Sequence, residues 1–417
     1  MFPLRTAFTA LGVVLFCGCM PPTTAPADSA MNVDAQSEAT VDASAEASAA
    51  DAASAASVAA TEAVLDRVVG PLFDANALMD LNRCVGGMAV AVTPAGDVLR
   101  GYGATQAGGT QRPTETSLFQ VGSISKVLTG LALARLVVDG TWAETDRVTA
   151  RLSPELARPL GAASVTLAEL VSHRAGFNTM PFNTADRDGN GMRDPGIDPL
   201  APVDGYTRTH LVAALAMEMP MSAPYRYSNL GIGLLGLAIQ DHLRADSNHA
   251  VLRRMVGEPL GFTSTYGEAR AVDPAAAMRV VQGYASAGRA RVVGKLAGIG
   301  VLASAGEVVT SGGDMRRFLR VLTGLDTTPI SPAIDRMLVP LGAALRPGYE
   351  IGYALEMQNR PDGIVYSKGG DVPSYLTFLT FRRTPRVGLI IMSACGDFDP
   401  IVTVGARALD ELTALHR

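Results

Sequence analysis

Strand-like runs stand near both ends of this 417-residue chain, and the long stretch between them reads as mostly helical. Two early runs flank the Pro94-Ala95-Gly96-Asp97 turn, the first of them Gly87-Met88-Ala89-Val90-Ala91-Val92, and three late ones lie near 350–357, 374–382 and 387–394. The apolar spacing of Ala63, Val64, Val68, Leu72 and Leu78 predicts a helix within Thr61 to Met79. A second helix opens at Gly122 and Ser123, runs to about Val138 and stops at Asp139-Gly140. A mostly helical middle follows, from about Thr145 to Ala285, with a further helix around Met315 to Leu322. The expected fold is therefore α+β, a sheet assembled from both ends of the chain with a helical subdomain inserted at about 145–285, all within one domain over 61–417.

Composition narrows the chemistry. With 48% apolar and 18% charged residues the chain is an ordinary globular protein, and a net charge of −5 offers no basic face for nucleic acid. The five His never fall at H-x-H or H-E-x-x-H spacing, and the four Cys form no C-x-x-C pair, which disfavours a zinc hydrolase.

Arg5 precedes an apolar run from Ala7 to Phe16 that is too short to span a bilayer but fits the core of a secretory signal. The run ends in Phe16-Cys17-Gly18-Cys19, which resembles a bacterial lipoprotein signal over 1–19, with Cys19 as the lipidated residue. Cleavage after Ala25-Pro26-Ala27 is the competing reading. Residues 20–60 are rich in Ala, Ser, Thr, Asp and Glu and bury too little apolar area to offset their ordering entropy, so they read as a flexible tether. The expected location is the bacterial cell envelope, lipid-anchored and facing the periplasm, where thiols oxidise. Cys84 precedes the first strand run and Cys395 follows the last. Antiparallel pairing of those strands would permit a disulfide, and two separate buried thiols are the alternative.

Ser123-Ile124-Ser125-Lys126 places a hydroxyl and an amine three residues apart on one face of a helix's first turn. A Ser hydroxyl needs a neighbouring base to become a nucleophile, and a buried Lys can serve. The spacing alone is a weak signal, because Ser also opens helices as a cap. Two more elements follow in order, Tyr227-Ser228-Asn229 and Lys368-Gly369-Gly370. Lysine occurs only at Lys126, Lys295 and Lys368, so two of the three fall in these elements of a chain that writes every other cation as Arg. Arg holds its proton at any workable pH, whereas an ammonium can be tuned toward neutrality.

These elements resemble the S-x-x-K, Tyr-x-Asn and K-T-G motifs of the serine β-lactamase and penicillin-binding-protein superfamily, including class C β-lactamases, D-alanyl-D-alanine carboxypeptidases and related esterases. Phe119-Gln120-Val121-Gly122-Ser123, Leu170-Val171-Ser172-His173-Arg174-Ala175-Gly176, Glu258-Pro259-Leu260-Gly261-Phe262 and Gly369-Gly370-Asp371-Val372-Pro373 also resemble family segments in family order. The resemblance implies an antiparallel sheet flanked by helices and no required cofactor. It implies that Ser123 forms an acyl-enzyme, that Lys126 helps to deprotonate it, and that Tyr227 shuttles protons. Asn229 would bond Lys126 and the substrate carbonyl, and Lys368 would supply positive potential. The backbone N–H groups of Ser123 and Asp371 would form the oxyanion hole, with Gly369 and Gly370 beside the substrate. Where the β-lactamases carry Thr or Ser this chain has Gly369, which removes a hydroxyl for a substrate carboxylate and disfavours an efficient penicillinase.

The expected activity is hydrolysis of an ester, amide or peptide, on a small-molecule or peptidoglycan-derived substrate. A class C-like β-lactamase and a non-catalytic penicillin or peptidoglycan sensor are the alternatives. His173 could pass for a triad base, but no G-x-S-x-G elbow is present, so it is expected to be structural and bonded within its own turn. Asp186, Asp188, Asn190 and Asp194 have the spacing of calcium ligands, although Ile197 stands where a bidentate Glu is usual. Calcium and a metal-free polar loop at the cleft rim are both open readings.

Overall fold

The computed structural model describes residues 33–186, 197, 203–344, 346–396 and 400–417. Helix α1 spans Val33–Val68, strands β1 and β2 span Gly86–Thr93 and Gly96–Gly103, and the short strand β3 spans Leu118–Gln120. Helix α2 is Ile124–Val138, α3 Arg208–Leu215 and α4 Asn229–Leu243. Strand β4 (Val309–Ser311) leads into α5 (Gly312–Thr323). The C-terminal strands are β5 (Gly342–Ala343), β6 (Tyr349–Ile351), β7 (Glu356–Arg360), β8 (Gly363–Val372), β9 (Tyr375–Arg383) and β10 (Arg386–Ser393), followed by α6 (Pro400–Leu415).

Eight strands form one sheet in the order β2-β1-β10-β9-β8-β7-β6-β5, antiparallel at every step. The two ends of the chain meet where Gly87 to Val92 of β1 pair with Ser393 to Gly388 of β10. β1 is buried along its whole length because helices cover both faces. Met88, Val90 and Val92 share one apolar cluster with α2 and α5, whereas Ala89 and Ala91 share another with Leu65 and Val68 of α1 and with Leu409 and Leu412 of α6. Alternation of side chains along a strand sends each set to its own layer. Cys84 and Cys395 flank this junction and are joined as a disulfide.

Three expectations change. Helix α1 begins at Val33, within the segment read as a flexible tether to residue 60, since an Ala-rich stretch has high helix propensity even without an apolar face. The run near 350–357 divides into β6 and β7, and Gly363–Val372, too Gly-rich to stand out as a strand, adds β8. The middle region is helical in short pieces joined by irregular segments. Cys19 and the rest of the signal lie outside the described residues, as do Asp188, Asn190 and Asp194 of the calcium motif. No described helix is long and apolar enough to cross a membrane.

Candidate active site

Helix α2 is apolar around its circumference and nearly all of it is buried, so it runs through the core and fixes whatever its first turn carries. Gly122, at φ +51°, makes the entry turn. A Cβ there would stand 2.6 Å from the Asp371 nitrogen, so the residue before Ser123 lies directly against the backbone of β8. The Ser123 side chain does not cap its helix. Its Oγ instead accepts a hydrogen bond from Lys126 Nζ at 2.8 Å and lies 2.5 Å from the Tyr227 hydroxyl. Lys126 is fully buried and donates a second bond to the Ala305 carbonyl. Ser125 pins the same turn, donating to Gly122 O and accepting from the Val308 N–H.

Tyr227 ends an extended segment just before α4. Ser228 caps α4 by accepting from the Gly231 N–H at 2.8 Å and donates to the Asn178 carbonyl. Thr179 Oγ1 donates to the Tyr227 carbonyl. His173, held at φ +59°, accepts the Ser228 N–H through Nδ1 at 3.2 Å, and its ring lies 4.7 Å from that of Tyr227. The histidine is thus structural, but the partner of its side chain is the tyrosine segment rather than its own turn. Burial, and then Lys368 and Lys126, hold its pKa well below the usual range, so the ring is neutral.

Lys368 points inward from β8 and is almost entirely buried. Its Nζ lies 4.8 Å from the Tyr227 ring centroid, and that of Lys126 lies 4.9 Å away. Burial raises the Tyr227 pKa, but Lys368, Lys126 and the bonds from Lys126 and Ser123 together outweigh it and bring the phenol down to about 8. Lys126 is brought down to about 8 by burial and by Lys368, against the attraction of Tyr227. Both groups flanking the Ser123 hydroxyl can therefore exchange a proton near neutral pH, the condition under which a base can activate a hydroxyl.

On β8 the exposed Gly369 and Asp371 alternate with the buried Lys368 and Gly370. Only glycine fits at 370, where a Cβ would lie 2.1 Å from the Val121 carbonyl oxygen, whereas a Cβ at Gly369 meets nothing within 4 Å. This close contact brings the Gly122-Ser123 helix start, with its N-terminal dipole, to the Asp371 backbone. Asn229 departs from expectation: its side-chain amide donates to Met180 Sδ, and the Ala305 carbonyl is the second partner of Lys126. The cause is the α4 start, where the Asn229 N–H is bound to Thr179 O and draws the residue toward Met180. Ala305 carries no signal in the sequence, because any residue supplies a carbonyl. Among the described residues no group of three or more His, Cys, Asp and Glu is placed to hold a metal.

A hydroxyl, two buried amines and a phenol at the junction of a helical region with an antiparallel sheet define a serine-hydrolase-type site of the β-lactamase fold. The chain belongs to the beta-lactamase family, whose model matches residues 34–414. It is 26% identical over 322 residues to human beta-lactamase-like 1, a match covering 73% of this chain, and it spans 59% of that relative's length. Among solved structures it resembles a class C beta-lactamase at 18% identity and TM-score 0.67, covering 84% of this chain and 96% of that one. It also resembles the D-alanine carboxypeptidase AmpC from Burkholderia cenocepacia at 21% identity and TM-score 0.65, covering 85% and 99%.

Proposed function

We propose that the protein hydrolyses an ester, amide or peptide by way of an acyl-enzyme on Ser123. The observation that carries this is that one Ser123 oxygen lies within hydrogen-bond reach of both Lys126 Nζ and Tyr227 Oη. In this reading Tyr227, helped by Lys126, takes the Ser123 proton as Oγ attacks the carbonyl. Tyr227 passes it to the leaving group, then removes one from the water that cleaves the acyl bond and returns it to the departing Ser123 Oγ. The N–H groups of Ser123 and Asp371 receive the oxyanion. Lys368 keeps the tyrosine acidic. The missing hydroxyl at Gly369 favours an esterase or peptidase over a β-lactamase, because the attack itself makes no use of that group.

Turnover of a short p-nitrophenyl ester and of nitrocefin, each compared with Ser123→Ala, tests the reading. Ester hydrolysis lost in the variant supports it, and equal residual rates in the two proteins overturn it. Nitrocefin turnover alone marks a class C-like β-lactamase, and stable labelling by a fluorescent penicillin without turnover marks a sensor. Export and anchoring through Cys19 are proposed from the sequence, and metabolic labelling with a fatty acid, compared with Cys19→Ala, tests them. Calcium at the Asp186 motif is likewise proposed from the sequence alone, and a melting curve indifferent to EDTA would remove it.

A further inference from the structure

A cavity of about 560 Å³ lies outside the catalytic constellation, between the start of α3, the middle of α4 and the segment from Leu296 to Glu307. Its volume suits a small molecule. Leu237, Leu296 and Val301 give it apolar walls. The charges around it are mostly answered within pairs: Arg208 is bidentate to Asp241, and Glu268 takes Arg270 and the Asn248 N–H. Glu307 differs. It is buried, with 4% of its surface exposed, and among the described residues its carboxylate accepts hydrogen bonds only from the backbone N–H groups of Ile299 and Ala269. Burial, with a smaller push from Glu268, raises its pKa to about 7 against those two bonds and the attraction of Arg270, and a further cation placed beside the carboxylate would relieve it.

Glu307 also brackets the helical turn Gly300–Ala305. Its side chain accepts the Ile299 N–H just before the turn, and its own N–H donates to Ala303 within it. Ala303 lines the cavity, and two residues on, Ala305 holds Lys126 by its carbonyl. Val308, the residue after Glu307, donates its N–H to Ser125 of the nucleophile's helix. Anything that pulls on Glu307 therefore acts on the segment that positions the catalytic amine.

We infer that this cavity binds a small organic cation, a primary amine on an apolar body, and that its occupancy is transmitted to Lys126 through the turn Gly300–Ala305. Calorimetric titration of the full chain with benzylamine, benzyl alcohol and benzoate, which share a shape and differ in charge, tests the site. Benzylamine should saturate and the other two should not. Glu307→Gln should weaken benzylamine about ten- to hundredfold, the loss of one charge-assisted hydrogen bond, and Val301→Phe, which narrows the cavity from a half-buried wall, should weaken it as well. On a p-nitrophenyl ester, bound benzylamine should change kcat and leave KM unaltered. The inference is overturned by no saturable heat, by equal binding of benzoate, by an undiminished titration of Val301→Phe, or by simple competition with the ester. Calorimetry needs no turnover, so a chain without esterase activity would sink the functional proposal and leave the site to be judged by binding. If Glu307→Gln fails to fold, Val301→Phe and the three-ligand series decide.

Discussion

Lys368→Met replaces a buried ammonium by a neutral side chain of similar length, 4.8 Å from the Tyr227 ring. At that separation and an effective dielectric constant of about 20, the lost attraction between ammonium and phenolate is about 3 kcal/mol. That displaces the Tyr227 titration upward by roughly two pH units from its position of about 8. Lys126 loses a repelling neighbour in the same step, so its titration moves upward too and the two changes reinforce one another. Below the original midpoint of about 8 the phenolate is about a hundredfold scarcer. The measurement is kcat/KM for a p-nitrophenyl ester from pH 6 to 10, wild type against variant. The ascending limb should shift alkaline by about two units, with a rate loss of about two orders of magnitude at pH 7 that shrinks as pH rises. A variant with a proportional loss at every pH, or an unmoved limb, would refute the idea that Lys368 acts by making the tyrosine acidic.

Gly369→Thr should leave the melting temperature unchanged or higher, because a Cβ there meets open space and strands favour Thr over Gly. It should also raise nitrocefin turnover about tenfold by supplying one hydrogen bond to the substrate carboxylate. Gly370→Ala, forced against the Val121 carbonyl, should cost both activity and several degrees of melting temperature, and an unaffected enzyme would contradict the contact between α2 and β8. Cys84→Ser with Cys395→Ser opens a loop of 311 residues, for which chain entropy gives a loss of up to about 6 kcal/mol in denaturant unfolding. Glu307 binds a proton more tightly folded than unfolded, near pH 7 against 4.5. Its contribution to stability is therefore complete below about pH 4.5 and lost as pH climbs through 7, about 3 kcal/mol in all. Glu307→Gln should flatten that slope in chemical denaturation between pH 5 and 8.

What could be read from the sequence was what side chains announce. Ser123, Lys126, Tyr227 and Lys368 are rare or chemically distinctive, and the structure brings all four together. The sheet built from both ends followed from the strand-like runs near the two ends of the chain. What escaped was carried by backbone or by competition between partners. Ala305 acts through a carbonyl that every residue owns. Asn229 has donors and acceptors enough for several roles, and the local geometry at the start of α4 gave it to Met180. His173 reaches a partner 55 positions away, which no local rule connects to it. The helix reaching back to Val33 reflects Ala propensity where the lack of an apolar face had argued for disorder.

The pairing of β1 with β10 also sets a timetable. A ribosome emits the Ser123 hydroxyl early and the Lys368 ammonium late, and β1 waits for its β10 neighbour until translation is nearly over. A nascent chain is thus chemically mute and structurally open for most of its synthesis.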